Sequence, residues 1–310
     1  MSKLFFITNS VDGTADRLIS ICQASGIDYF RWNVDLWDDY QLSVSLDGSR
    51  IASRRGVLNL LSDDYILLWR KPFLDLIEDV DGIGEDNLRY LRRQIYGWRQ
   101  YILALSLEKK SVRLVDPLAE SRWPKLLQLR LASKYFKVPS YLFGTHDIYP
   151  QPRAVVKSLD DPSVSANTVL YTALVDPNKL HRPFPWFMQH PLIGGQDVTC
   201  VYINGSCNFY CCFFKRDDEN IDWRVEINSP QQSSWRKLEH PDVEKWGSCV
   251  RSFMDECRLF YGRLDFILIS DELYFLECNV NGQFGWLDDD SGVLHRAFLD
   301  AALSGDCIVE

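Results

Sequence analysis

Towards its C-terminal end the chain carries two apolar runs, Gly262-Arg-Leu-Asp-Phe-Ile-Leu-Ile-Ser270 and Glu272-Leu-Tyr-Phe-Leu-Glu-Cys-Asn-Val280, each with acid or amide groups in its interior. Their composition is that of buried strands, and the short polar break between them predicts a hairpin. Side chains alternate across a strand, so Glu277 and Asn279 share one face. The turn decides where Asp265 falls. A three-residue turn over Ser270 to Glu272 pairs Ile269 with Leu273 and sets Asp265 directly opposite Glu277. A two-residue turn puts Asp265 on the other face.

Two carboxylates converging inside a sheet repel each other and resist desolvation. A divalent cation relieves both costs, and a ligand set of oxygens alone suits magnesium, which takes one or two carboxylates and completes its shell with substrate phosphates. A buried, hydrogen-bonded acid pair, or acids at a frayed sheet end, would use the same residues. Spacing by itself leaves these readings open.

The rest of the chain alternates in type. Leu4 to Thr8, Ile27 to Trp32 and Asp63 to Trp69 read as strands, with a helix over Asp12 to Ser25 after the first. This alternation predicts an α/β lobe with a mainly parallel sheet. Leu88, Leu91, Ile95, Trp98, Ile102 and Leu105 recur at three- and four-residue steps and predict a helix over Asn87 to Leu107. Arg89, Arg92, Arg93 and Arg99 on that helix read as its solvated side. Val112 to Val115 reads as a further strand, and a helix opens near Pro124 and runs to about Phe136. Beyond Val138-Pro139 the character changes. Ala154 to Ser158, Val169 to Val175 and Trp186 to His190 read as antiparallel strands, and Val198 to Asn204 with Cys207 to Lys215 as a hairpin about Gly205. Glu239 to Tyr261 reads as helical, with Val243, Trp246, Val250, Phe253 and Met254 as its buried stripe, and His295 to Leu303 as a last short helix. The aromatic segments Tyr29 to Trp37 and Pro183 to Phe187 suit core packing, or the lining of a peptide groove.

The 310 residues suffice for a substantial core. A formal net charge of −9 argues against nucleic-acid binding, which calls for a basic surface. No apolar run approaches the roughly 20 residues that span a bilayer. The apolar stretch Leu4 to Ile7 is too short for an export signal. Nine cysteines without metal spacing or Cys-x-x-Cys read as reduced, mostly buried thiols of a cytoplasmic protein, with Cys211-Cys212 inside a strand.

The run Tyr274-Phe-Leu-Glu277-Cys-Asn279-Val-Asn-Gly282-Gln-Phe-Gly-Trp286-Leu-Asp288 resembles the terminal metal-binding signature of ATP-grasp ligases, and its Asn-Gly-Gln-aromatic-x-Trp-Leu continuation is similar to the graspetide (microviridin-type) synthetases. Four further segments follow the same family in order: Leu68-Trp-Arg-Lys-Pro72, Pro124-Lys125-Leu-Leu-Gln128-Leu-Arg-Leu-Ala132 with Val138-Pro139, Val155-Val156-Lys157, and Asp222-Trp223-Arg224. The resemblance spans most of the chain. It implies an α/β (α+β lobes) ATP-grasp fold, with an N-terminal parallel α/β lobe (1–120), a central ATP-binding lobe (121–190) and a C-terminal lobe with the metal hairpin (191–310). Two antiparallel sheets would enclose ATP.

Carried over residue by residue, the resemblance implies that Asp265, Glu277 and Asn279 hold Mg2+ and that Lys125 and Lys157 contact the α- and β-phosphates as point charges. Gln189, His190 and Pro191 fall on the adenine hinge. Arg224 would stabilise the γ-phosphoryl group and an acyl-phosphate. The implied activity is ATP-dependent carboxylate–amine or carboxylate–hydroxyl ligation, forming side-chain esters or amides in a ribosomal precursor peptide. Joining amino acids or extending a peptide is the alternative within the class, and a non-catalytic nucleotide- or peptide-binding protein the alternative outside it. A homodimer is among the arrangements the resemblance allows. Two departures stand out. Ser158 to Thr168 lacks the glycines many relatives carry there, and the Asp-x-Arg of leader-binding relatives is Asp197-Val198-Thr199, which keeps the substrate-binding aspartate and loses the arginine.

Overall fold

The computed structural model describes residues 2–77, 82, 84–145, 149–159, 163–165, 168–169, 172–181, 183–215, 235–288 and 291–309. Arg224, with Asp222 and Trp223, lies outside them, as does much of the glycine-free segment 158–168. The chain divides into two compact units, one of residues 1–119, 259–262 and 280–310, the other of residues 120–258 and 263–279.

The first unit is built on a parallel sheet. Strands β1 (Lys3–Thr8), β2 (Tyr29–Asn33) and β6 (Tyr65–Trp69) lie in the order β2-β1-β6, and both neighbours run parallel to β1. Helix α1 (Gly13–Ser25) crosses between β1 and β2. It starts where Asp12 accepts hydrogen bonds from the Thr14 and Ala15 amides, and it ends at Gly26, whose left-handed backbone (φ 66°) suits glycine. Helix α2 (Glu85–Glu108) buries Ile95 and Ile102 against Phe5, Trp32 and Leu67, and Leu88, Leu91, Trp98 and Leu105 flank them. Its arginines are not uniformly solvated, contrary to the sequence reading. Arg92 donates to the Ile77 carbonyl (2.6 Å), and Arg99 bonds the Pro72 carbonyl and lies over the rings of Trp69 and Tyr96, where burial lowers its pKa. An antiparallel sheet of β3 (Gln41–Ser45), β4 (Gly48–Ser53) and β5 (Gly56–Asn59) adds to this unit. Val112 to Val115 makes only isolated bridges, Val112 to Leu67 and Arg113 to Ile308, rather than a strand.

In the second unit, a one-turn helix α3 (Ala119–Arg122) entering from the first unit leads to α4 (Lys125–Ala132), where Pro124 occupies the N-cap. One sheet has the order β11-β8-β12-β7, all pairs antiparallel: β7 (Tyr141–Gly144), β8 (Ala154–Val156), β11 (Ala173–Val175) and β12 (Trp186–Gln189). Two short strands, β9 (Ser163–Ser165) and β10 (Thr168–Val169), pair with each other. The larger sheet runs β15-β14-β13-β16-β17, from β13 (Gln196–Ile203), β14 (Ser206–Lys215), β15 (Trp235–Lys237), β16 (Tyr261–Ile269) and β17 (Glu272–Asn279). Helix α5 (Val243–Cys257) packs Trp246, Val250, Phe253 and Met254 inward. It stops earlier than its periodicity suggests: Arg258 takes the left-handed conformation (φ 54°), and Tyr261 already belongs to β16. Helix α6 (Val293–Ser304) returns to the first unit. A parallel α/β lobe, a four-stranded antiparallel sheet and a larger sheet containing the antiparallel β13–β14 and β16–β17 hairpins match the mixed α/β fold class the sequence predicts. All nine cysteines are free, and Cys211 and Cys212 lie in β14.

Candidate active site

The turn of the β16–β17 hairpin differs from the one expected. Ile269 pairs with Glu272, so only Ser270 and Asp271 form the turn, and their φ values of 51° and 60° are those of a type I′ hairpin. That register continues through Leu268–Leu273, Ile267–Tyr274 and Phe266–Phe275, and alone it would set Asp265 against Leu276. It does not reach Asp265. A β-bulge takes Leu276 out of the ladder, and beyond it Asp265 faces Glu277, Leu264 faces Cys278 and Arg263 faces Asn279. The facing carboxylates are therefore present, and the bulge rather than the turn brings them together.

The burial pattern shows the same switch. Leu273 and Phe275 are buried on β17 before the bulge and Cys278 after it, while Leu276 and Glu277 are both half-buried. Arg263, Asp265, Glu277 and Asn279 consequently share one face and Leu264, Phe266 and Cys278 the core face.

Hydrogen bonds knit that face. Asn279 Nδ2 donates to Asp265 Oδ2 (2.9 Å) and Glu277 Oε1 (3.3 Å), so a single amide spans both carboxylates. Arg263 forks onto Asp265, Nε to Oδ1 at 3.1 Å and Nη2 to Oδ2 at 2.8 Å. Lys125 Nζ, from the first turn of α4, lies 2.9 Å from Glu277 Oε2 and also donates to the Ser158 carbonyl (3.0 Å). Burial by itself would push the Glu277 carboxyl up. The charges of Lys125, Lys157 and Arg263 outweigh it and hold the pKa at about 2. Glu277 is thus an anion at any physiological pH.

Two carboxylates and an amide oxygen fit an ion that keeps several sites for phosphate and water. Among the described residues no three His, Cys, Asp or Glu side chains gather as a metal cluster.

The other expected residues fall as follows. Lys157 directly follows β8, with its ammonium 5.9 Å from the Phe187 ring centroid, and its charge acts on Glu277. Gln189 ends β12, is 2% exposed, and its buried Nε2 has no hydrogen-bond partner among the described residues. The His190 N–H already donates to the Ser140 carbonyl (2.8 Å), and Pro191 has no N–H, so neither backbone nitrogen is free to meet a base edge. Asp197 is buried where the β13–β14 register shifts between Gln196 and Val198.

Two residues that bond Asp265 were given no part in the site from the sequence. Arg263 shares parity with Asp265 and was legible in the Arg-x-Asp spacing. Thr199, which stands at the expected arginine position, donates Oγ1 to Asp265 Oδ1 (2.9 Å) and to the Leu264 carbonyl (3.2 Å). The position that lost an arginine now braces the acid.

Two of the sequence segments meet each other in the first unit. Fully buried Arg70 lies 3.5 Å from Asp12 Oδ2 and donates to the Gly282 carbonyl (3.3 Å), which also accepts from Tyr261 Oη (2.5 Å). Phe284 packs between Tyr261 and Phe298, and Asp288 caps α6 at the Leu294 and His295 amides. This continuation of the signature anchors the hairpin's exit.

No family model matches the chain, and no curated protein matches it by sequence. Solved structures do. A Chryseobacterium gregarium RiPP-associated ATP-grasp ligase, in complex with ADP and a leader and core peptide, superposes with a TM-score of 0.78 at 20% identity, over all of both chains. The macrocyclase MdnC of Microcystis aeruginosa MRC, bound with precursor peptide MdnA, gives 0.76 at 20% identity, over 97% of this chain and 98% of that one. The ATP-grasp ligase PsnB, complexed with a phosphomimetic variant of minimal precursor, Mg and ADP, gives 0.68 at 16% identity, over 97% and 99%. The chain has the ATP-grasp ligase fold, in the form seen in peptide-modifying ligases.

Proposed function

We propose that this protein is a magnesium-dependent ATP-grasp ligase that cross-links side chains of a ribosomally made precursor peptide through esters or amides. The observation that carries the reading is the bulged pairing of Asp265 with Glu277, bridged by Asn279 and ringed by Lys125, Lys157 and Arg263. Asp265, Glu277 and Asn279 would hold the metal, which supplies charge neutralisation at the phosphates. In the first step a substrate carboxylate oxygen attacks the γ-phosphorus of ATP, the bond to the bridging oxygen breaks, and ADP leaves. In the second, an amine or hydroxyl attacks the acyl carbon, phosphate departs with the electrons of the broken C–O bond, and the proton lost by the nucleophile goes to that departing phosphate.

Lys125 and Lys157 would bind phosphate oxygens, and Arg263, bonded to Asp265, would meet charge that develops beside it. Arg224 is assigned the γ-phosphoryl group from the resemblance alone. Gln189 offers an unpartnered buried amide at the hinge, so adenine reading would fall to that side chain and to carbonyls rather than to the 190 or 191 nitrogens. The lobes 121–190 and 191–310 each contribute one sheet to the nucleotide in this reading. Catalysis then rests on positioning and charge.

Thr199 favours a second reading. With Thr199 in place of the arginine and committed to Asp265, the Asp-x-Arg pattern expected of leader-binding relatives is incomplete, and a ligase that joins amino acids or extends a peptide needs no such pattern. No helix among the described residues is long and apolar enough to cross a membrane, and the net charge of −9 disfavours nucleic acid as a partner. A cytoplasmic enzyme acting as a homodimer accords with this reading.

The test is ADP release with Mg2+, ATP and candidate peptides or amino acids, coupled to product mass. Water losses from a peptide support cross-linking, and residue-sized gains support the second reading. Glu277→Gln is expected to abolish substrate-dependent ADP release in a folded protein. Full turnover in that variant, or nucleotide binding with no ADP formed from any of these substrates, overturns the assignment.

A further inference from the structure

The β-bulge at Leu276 creates the site, and nothing in the turn that precedes it enforces that bulge. A hairpin closed by Ser270-Asp271 would run straight on in its first register, with Asp265 against Leu276 and Glu277 turned to the core face beside Phe266 and Phe275. Something beyond the turn has to select the bulged arrangement.

β17 is the edge of its sheet, so its outward backbone groups find partners outside the ladder. At Phe275 the outward N–H donates to the Lys137 carbonyl (2.9 Å). In an unbroken strand the next outward residues would be Glu277 and Asn279. Here the outward residue is Cys278, three positions on instead of two. Its N–H donates to Gln128 Oε1 (2.8 Å), and its carbonyl accepts from Gln128 Nε2 (3.0 Å). One amide side chain thus imitates a neighbouring strand at the single residue lying between Glu277 and Asn279.

Gln128 is itself held. It is 6% exposed, and its second Nε2 hydrogen goes to the Trp123 carbonyl (2.8 Å), while Trp123 Nε1 donates to the Cys257 carbonyl (3.0 Å) at the end of α5. The same helix α4 carries Lys125, which pairs with Glu277. A slip of β17 to its unbulged register would turn the Cys278 N–H and C=O back towards β16. Gln128, buried and with two of its three hydrogen bonds lost, would be left with an unpaired carbonyl oxygen and amide hydrogen, which is costly in a protein interior.

We infer that Gln128 is a positioning residue for the metal site: it clamps Cys278 and so locks the bulged register that sets Glu277 and Asn279 opposite Asp265 and Arg263. The inference rests on the ligase reading only for its consequence in chemistry; the clamp itself is a statement about the backbone.

The test uses Gln128→Met, which keeps the length of the side chain and loses every hydrogen bond, and Gln128→Glu, which keeps the acceptor for the Cys278 N–H. Amide hydrogen exchange over residues 275–280 is read without metal or nucleotide. It should quicken about tenfold or more in Gln128→Met, and less in Gln128→Glu, while the β13–β14 hairpin stays as in the parent. The Mg2+ concentration giving half-maximal ADP release should rise by about tenfold or more, the usual effect of losing a group that orients metal ligands, with metal-free nucleotide binding within about twofold of the parent. If Gln128→Met does not fold, Gln128→Glu carries the test. Parent-like exchange at 275–280 in the folded variant overturns the clamp. So does an equal loss of metal-free and metal-dependent binding, which marks a general structural defect. If Glu277→Gln retains full ADP release, the ligase assignment of the hairpin falls, and the exchange data still decide on Gln128.

Discussion

The charge balance at Glu277 can be measured without substrate. In the metal-free protein its carboxyl is held at about 2 against an ordinary 4.5, because Lys125, Lys157 and Arg263 together outweigh burial. That depression corresponds to a ceiling of about 3 kcal/mol of stability carried by the ionised form. The side chain is 27% exposed, so solvent screening lowers the realised figure. The sign follows from the depressed value. The contribution is fully present above about pH 4.5, where the group is ionised in folded and unfolded chains alike, and it is lost as pH falls towards 2. Between pH 6 and pH 3 the expected loss is about 2 kcal/mol. The perturbation is Glu277→Gln, which removes the titration. The assay is urea unfolding of both proteins, in chelator, at pH 6, 4.5 and 3. Carboxylates remote from the hairpin are the same in both proteins, so the difference between them reads the loss of the Glu277 charge. Should the two units unfold separately, only the transition of residues 120–258 and 263–279 should carry the effect. The stability gap between parent and variant should narrow by about 2 kcal/mol from pH 6 to pH 3. A gap constant to within about 0.5 kcal/mol would mean that the three cations do not act on Glu277 as placed, and the electrostatic argument for a phosphate site would fail with it.

Two further predictions concern the scaffold. A Cβ at Gly195 would stand 2.3 Å from Ile267 Cγ2 and 3.2 Å from the Leu192 carbonyl, so Gly195→Ala should cost about 2 kcal/mol in urea unfolding through a forced shift of β16, and a neutral result would show that Ile267 has room to turn. Arg70→Met strands buried Asp12 without its cation and frees the Gly282 carbonyl of one donor. It should destabilise the protein by about 3 kcal/mol, and unchanged stability would show that the α1 N-cap and Thr8 satisfy Asp12 alone.

Strong periodicity was readable in the sequence, and boundaries set by single residues were not. Asp12 and Gly26 bracket α1 with ordinary capping chemistry, and the α2 stripe from Leu88 to Leu105 needed only its spacing. Helix α5 was overextended to Tyr261 because Arg258 breaks it in the left-handed conformation, a place where glycine or asparagine is the usual signal. The sheet β3-β4-β5 went unread: Val44, Leu46 and Val57 are exposed, so its strands lack a clean inside–outside alternation. Arg92 and Arg99 looked like a solvated face because their partners are carbonyls of a distant segment, Ile77 and Pro72, which no local pattern announces.

The site repeats this lesson at closer range. Residue types drew attention to Asp265, Glu277 and Asn279, since acids inside apolar strands call for a compensating charge, but they left a buried acid pair open, and the metal assignment rests on the resemblance. The same reasoning tied their facing to a three-residue turn, and the turn has two residues, closed by Ser270 and Asp271 without the glycine that usually marks its type. The missing residue was supplied five positions beyond Asp271, at Leu276, where neither glycine nor proline flags a bulge. What could have betrayed it is the burial pattern that the sequence itself implies. Leu273, Phe275 and then Cys278 and Val280 make an apolar face only if the alternation skips once, and the skip must fall between Phe275 and Cys278. A regular strand would have set Glu277 in line with Phe275, an unpaired acid on a core face. Taken together, the apolar pattern and the acid pattern demand a bulge at that step, and the amide of Gln128 is what the fold places there to meet it.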